Sequence, residues 1–361
     1  MLKPSTLKPQ RIYSFDIIRI IATLMVIMIH TAGVFVSDAD ADFFSFTVGN
    51  FLDSLSQIAV PLFLMLSGAL MLDEEKEFTI RKSIKYALNI FALLGIWSLI
   101  YAVIYNILIP VTQGNPVNSD FSNFVSDLLL GHYHMWYLYL IIGLYLITPL
   151  LRLFVKKSNL KTLKYFLLLA IFVPFLSVLL NVICVNVFHT QLFASFVNSF
   201  KMGYISAYLV YYILGWFLVN CEFTQKQRIG IYLSGITGFL LTFGLNEIFI
   251  HSNPNVYESL YSASSFAIFC AAAATFTFFF YRFKARTFGR ASGFIAYISK
   301  ITFGVYLIHE IFRTVFEAIL MPRIPNTLAY IIICFALTTV ISFGIAFIMS
   351  KIPLIKKLIK C

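Results

Sequence analysis

Ten apolar runs, each long enough to cross a bilayer as a helix, fall at about 15–36, 47–71, 84–109, 133–155, 165–187, 203–220, 229–250, 258–281, 294–320 and 328–350 of this 361-residue chain. About 20 apolar residues in helical form span the hydrocarbon core, and within lipid every backbone polar group must be satisfied inside its own segment. Repeated along the whole chain, the pattern leaves one fold class: an all-α, polytopic membrane helical bundle of about ten transmembrane helices. Composition agrees, with 60% hydrophobic and 12% charged residues and a mean hydropathy of +0.87. Soluble domains hold about 45–50% apolar residues. No linker, low-complexity tract or soluble appendage interrupts the runs, so a single domain over 1–361 is expected.

The net charge of +11 is distributed with a period of two loops. Lys3, Lys8 and Arg11 share a side with Arg81, Lys82 and Lys85, with Lys156, Lys157 and Lys161, with Lys226 and Arg228, with Arg282, Lys284, Arg286 and Arg290, and with Lys351, Lys356 and Lys357. The opposite loops carry Asp38, Asp40, Asp42, Asp120 and Asp127, with Lys201, Arg313 and Arg323 nearby. This is the positive-inside pattern, and it places both termini in the cytoplasm. The basic excess is therefore topological, and nucleic-acid binding is not implied. Lys3 to Arg11 before an apolar run imitates a signal peptide with a cleavage site near Ala39-Asp40-Ala41, but the run is long and holds Arg19 and His30. An uncleaved first span is the better reading. The five cysteines have no CxxC or Cys/His spacing, so neither a disulfide framework nor a metal site is indicated. No Walker loop, Rossmann glycine pattern, HExxH or GxSxG occurs at a usable position. The segment 110–131 reads as a loop capping the outer mouth, and Pro61 and Pro174 as kinks within their spans.

Four groups of residues carry chemistry. Arg19 and His30 lie eleven residues apart in the first span, which returns a helix to within about 20° of its starting azimuth and separates them by about 16 Å. They share one stripe, with Asp16 one turn before Arg19 and able to pair with it. A charged residue at mid-membrane costs roughly 2.5 kcal/mol or more when it faces lipid, so the stripe should face protein or a cavity. The alternative makes Asp16 and Arg19 interfacial anchors and His30 a helix-contact residue. In the ninth span Glu310, Arg313 and Glu317 follow at helical spacing with His309 beside them; a buried ion-pair network is the structural alternative there. His132, His134 and Trp136, with Tyr133 and Tyr137, stand at the outer mouth of span four, either as an interfacial aromatic belt or as a surface for a sugar ring. Arg282, Lys284 and Arg286 could hold the phosphates of a nucleotide-like donor, although orientation alone explains them. Asn246 and Glu247 are weaker candidates, and His189 and His251 read as solvated.

These residues resemble the membrane-bound acyltransferase type 3 family, whose members O-acylate cell-surface glycans. Phe15-Asp16-Ile17-Ile18-Arg19 followed by His30 looks like its opening Arg-x10-His motif, and Pro61-Leu62-Phe63-Leu64-Met65-Leu66-Ser67-Gly68 like its second-span signature. His134-Met135-Trp136-Tyr137-Leu138 leading to Thr148-Pro149-Leu150 is similar to the fourth, and Phe303-Gly304-Val305-Tyr306-Leu307-Ile308-His309 to the late Tyr-Leu-x-His element. Glu310 stands where proline commonly follows that histidine. The resemblance implies the stand-alone branch, without the esterase-like or racemase domain fused to some members. The resemblance implies an O-acetyltransferase of the bacterial cytoplasmic membrane that moves an acyl group from cytoplasmic acyl-CoA, acetyl-CoA as co-substrate and no permanently bound cofactor, to a hydroxyl of an envelope glycan or lipid-linked sugar. His30, Arg19 and His309 are then the expected catalytic residues. Arg19, Asp16, Arg282, Lys284 and Arg286 would bind the donor, and His134, Trp136 and Glu310 the acceptor, with membrane lipids as surroundings. The competing class is a carrier that moves acyl groups or lipid-linked sugar without catalysis, which mid-membrane ionisable pairs would also serve.

Overall fold

The computed structural model describes residues 11–38, 41–112, 121–171, 175, 177–190, 206–249 and 256–359. Lys3, Lys8, Ala39, Asp40, Asp120, Pro174, Lys201 and His251 lie outside the described residues. Among the described residues the regular structure is helical throughout, without strands. The helices are α1 (Tyr13–Ala32), α2 (Val34–Ser37), α3 (Phe43–Ser56), α4 (Ala59–Met71), α5 (Ile80–Val103), α6 (Ile109–Thr112), α7 (Phe121–Leu130), α8 (Trp136–Lys157), α9 (Leu160–Ala170) and α10 (Ser177–Phe188). They continue with α11 (Ala207–Asn220), α12 (Gln225–Phe249), α13 (Val256–Tyr261), α14 (Phe266–Phe283), α15 (Ala291–Leu320) and α16 (Thr327–Lys351).

Eight helical segments among the described residues are long and apolar enough to cross a membrane. In the runs expected at 165–187 and 203–220 the described residues form α9, α10 and the 14-residue α11.

Local chemistry sets several boundaries. Asp42, Thr79 and Asn159 each accept a backbone N–H three residues on, capping α3, α5 and α9. The second span breaks at Gln57–Ile58 and restarts as α4 with Pro61 in its first turn, where a missing N–H disturbs little. The kink expected from Pro61 is thus a break just before it. The segment expected as a loop at 110–131 holds the helix α7, which Gly131 ends with φ +71°, a left-handed conformation that glycine adopts without strain.

The chain forms two compact units, one of residues 1–73 and 158–347 and one of 74–157 and 348–361. In the first, α1 packs on α15, α3, α4 and α14; α12 packs along α14, and α11 against α4. The last contact is close. A Cβ on Gly68 would stand 1.7 Å from the Tyr212 carbonyl oxygen, and one on Gly215 1.9 Å from that of Met65. Small residues that let two backbones meet are the usual device of helix packing in membranes. In the second unit α5 packs on α8 and α7, Ser83 donates to the Tyr145 carbonyl at 2.5 Å, and the Trp97 indole donates to the Leu358 carbonyl at 2.9 Å.

Candidate active site

Arg19 and His30 project from α1, an uninterrupted helix from Tyr13 to Ala32, toward α15. The Arg19 guanidinium donates to the Ser299 hydroxyl at 3.1 Å and lies 3.9 Å from the Asp16 carboxylate. Asp16, which is buried, is held more tightly by Arg11, whose Nε and Nη2 donate to its two oxygens at 2.7 and 2.8 Å. The pairing expected between Asp16 and Arg19 is therefore the looser of two. The Asp16 hydrogen bonds hold the Arg11 pKa above its ordinary value, against the cost of its partial burial.

The His30 and His309 rings lie 5.4 Å apart between centroids, tilted by 32°. His309 is fully buried, and its Nδ1 is 2.7 Å from the Tyr306 carbonyl. A carbonyl only accepts, so Nδ1 carries the proton, and in the neutral ring Nε2 keeps its lone pair. Glu310 is also fully buried, and Arg313 grips it through Nε at 2.8 and 2.9 Å and through Nη2 at 2.5 Å. Arg313 bonds Glu317 as well. The expected ion-pair ladder of α15 is therefore present. It also has a chemical face, because one ligand atom from each of His30, His309 and Glu310 lies within 4.8 Å of the others. Two imidazoles and a carboxylate at that spacing could hold a divalent cation, but the guanidinium already engages both Glu310 oxygens and competes for them. The same spacing suits a proton-transfer centre, with a basic imidazole beside a fixed negative charge.

The other predicted residues stand elsewhere. Arg282, Lys284 and Arg286 are exposed at the end of α14, each over an aromatic ring: Arg282 and Arg286 over Phe283, and Lys284 over Tyr281 at 4.2 Å. Arg228 covers Tyr281 at 4.6 Å. In the second unit His134 is buried with its Nδ1 2.9 Å from that of His132, while Trp136 is exposed. Tyr101 stacks on His132 at 4.6 Å.

Sequence reasoning passed over two features. Ser299, the Arg19 partner, carries no signal in a run of apolar and small residues. Asn50, Asp53 and Ser54 form a buried polar edge on α3 that the i, i+3, i+4 spacing displays.

An amino-acid racemase of Enterococcus faecalis is 26% identical to this chain over 273 residues, 71% of the chain and 34% of the racemase. The chain spans about a third of the length of that relative. No solved structure matches. The acyltransferase-domain family matches residues 12–347, from the N-terminal end of α1 into α16, and so includes every residue of the His30, His309 and Glu310 centre. Over that length the match leaves the non-catalytic carrier without support, and this integral membrane chain belongs to the acyltransferase 3 domain family.

Proposed function

We propose that this membrane acyltransferase is an O-acetyltransferase of the bacterial cytoplasmic membrane, taking acetyl from acetyl-CoA and delivering it to a hydroxyl of an envelope glycan or lipid-linked sugar. What supports the reading is the convergence of His30, His309 and Glu310 within 4.8 Å.

His30 takes the proton of the acceptor hydroxyl as its oxygen forms a bond to the thioester carbonyl carbon. The carbon–sulfur bond then breaks, and the proton passes from His30 to the leaving CoA sulfur. While protonated, the His30 ring lies near the Glu310 carboxylate, a fixed opposite charge that favours the imidazolium. His309, with its Nδ1 committed to Tyr306, offers only Nε2 to the reaction and orients the partner groups. Arg19, half-buried about 16 Å toward the other end of α1, suits a phosphate or amide of the donor, with Asp16 holding the local charge in balance. Arg282, Lys284 and Arg286 add cationic donors at the end of α14.

The test measures release of free CoA from acetyl-CoA by purified protein with an envelope polysaccharide as acceptor. His30→Ala is expected to lower kcat by at least 10²-fold, the usual contribution of a general base, with membrane insertion and melting behaviour unchanged. A correctly inserted His30→Ala protein with full activity would overturn the reading.

A further inference from the structure

A second polar centre lies beyond the last turn of α1. On α3, Asn50 donates through Nδ2 to Glu247 Oε1 at 2.7 Å and to the Phe243 carbonyl at 3.1 Å. Its Oδ1 accepts from the Tyr261 hydroxyl at 2.6 Å and from Ser54 at 3.0 Å. Thr47 donates to the other Glu247 oxygen at 3.2 Å. Three separate segments, α3, the end of α12 and the end of α13, are thereby drawn to one place.

One buried group at this place is under-used, and a buried carboxyl stands near it. Asn246 is fully buried and faces the Tyr261 hydroxyl, yet neither its amide nitrogen nor its oxygen makes a hydrogen bond of normal geometry. Asp53 is 3% exposed, and its carboxyl group is bonded by the Gln57 amide at 2.9 Å. Buried polar side chains in folded proteins nearly always have their bonds made, so a buried amide with its bonding capacity largely unmet beside Tyr261 points to a ligand. Asp53 also connects this centre to the proposed base. Its Oδ2 lies 3.6 Å from where a Cβ on Gly33 would stand, and Gly33 is one turn from His30 on α1.

The chemistry of the lining selects the ligand class. Asp53 and Glu247 offer carboxyl oxygens, Asn246 an amide, and Tyr261 a hydroxyl. A phosphate or carboxylate would meet two acidic groups here. A neutral ring bearing several hydroxyls would donate to them and accept from the amide. Glu247 and Tyr261 are half-buried, while Asn50, Asp53 and Asn246 are buried.

We infer that Asn50, Asp53, Asn246, Glu247 and Tyr261 bind the hydroxyls of a neutral sugar acceptor and present one of them to His30. The assignment rests on the proposed acetyl transfer. The experiment follows CoA release with acetyl-CoA and, as acceptor, envelope polysaccharide from cells lacking the protein, stripped of esters by mild alkali. Glu247→Gln and Asp53→Asn are expected to raise KM for the polysaccharide about tenfold or more while KM for acetyl-CoA stays at the wild-type value. Tyr261→Phe removes a single hydroxyl and keeps the test available where a carboxyl variant aggregates. Polysaccharide KM unmoved in every folded variant, or both KM values moved together, would overturn the assignment. A wild-type protein that releases no CoA overturns the acetyl-transfer reading itself, and that failure is seen without any variant.

Discussion

Arg313 shows how one side chain can settle a buried charge. It is 10% exposed and satisfies the wholly buried Glu310 through three contacts. Removing one member of a buried pair leaves the other desolvated and uncompensated, which is why such losses run to about 3–5 kcal/mol. Arg313→Met should therefore lower the free energy of unfolding in detergent by an amount in that range. Glu317→Gln, on the partly exposed arm of the same arginine, should change it by less than about 1 kcal/mol. Equal effects of the two substitutions would show that burial does not rank them. The i+3 and i+4 spacing of this ladder was readable directly from the sequence, because neighbours on one helix depend on the helical repeat alone. The His30 and His309 contact was not, since no local rule brings residue 30 to residue 309. Asp16 carries the same lesson, as its nearer partner is Arg11, five residues earlier, where the chain enters α1.

At the scale of elements, the contact of α4 with α11 is set by two glycines. Their backbones approach so closely that a Cβ at Gly68 or Gly215 would overlap a carbonyl of the facing helix. A backbone cannot yield as the tip of a side chain can, so the helices must separate. Gly68→Val and Gly215→Val should each destabilise the protein by at least about 1–3 kcal/mol, the range for overpacked cores. Gly95, which has open space where its Cβ would stand, should accept alanine without loss. Melting measurements on the three variants check the ranking, and an unchanged Gly215→Val protein would contradict it. Helix existence and type were legible here from apolar run length. Helix interruptions were less so. The break at Gln57–Ile58 has no glycine, and the helix over 121–130 sits in a segment whose glycine and prolines suggested a loop.

For the whole molecule, the alternation of basic and acidic loops predicts that both ends of the chain face the cytoplasm. Alkaline phosphatase, active only outside the cytoplasm, should be inactive when fused after Lys357 and active when fused within the acidic 38–42 loop. Activity at both positions would refute the orientation. The sequence by itself determined the all-helical membrane class, because a bilayer admits so few ways of satisfying a backbone. It also marked Arg19, His30, His309 and Glu310, because ionisable groups in apolar runs are conspicuous. Tertiary structure alone decided which of these meet, and it brought Asn50, Asn246, Glu247 and Tyr261 together from segments some 200 residues apart. Hydrophobic periodicity says which face of a helix is buried, whereas the neighbour on that face is chosen by packing that only the folded chain possesses.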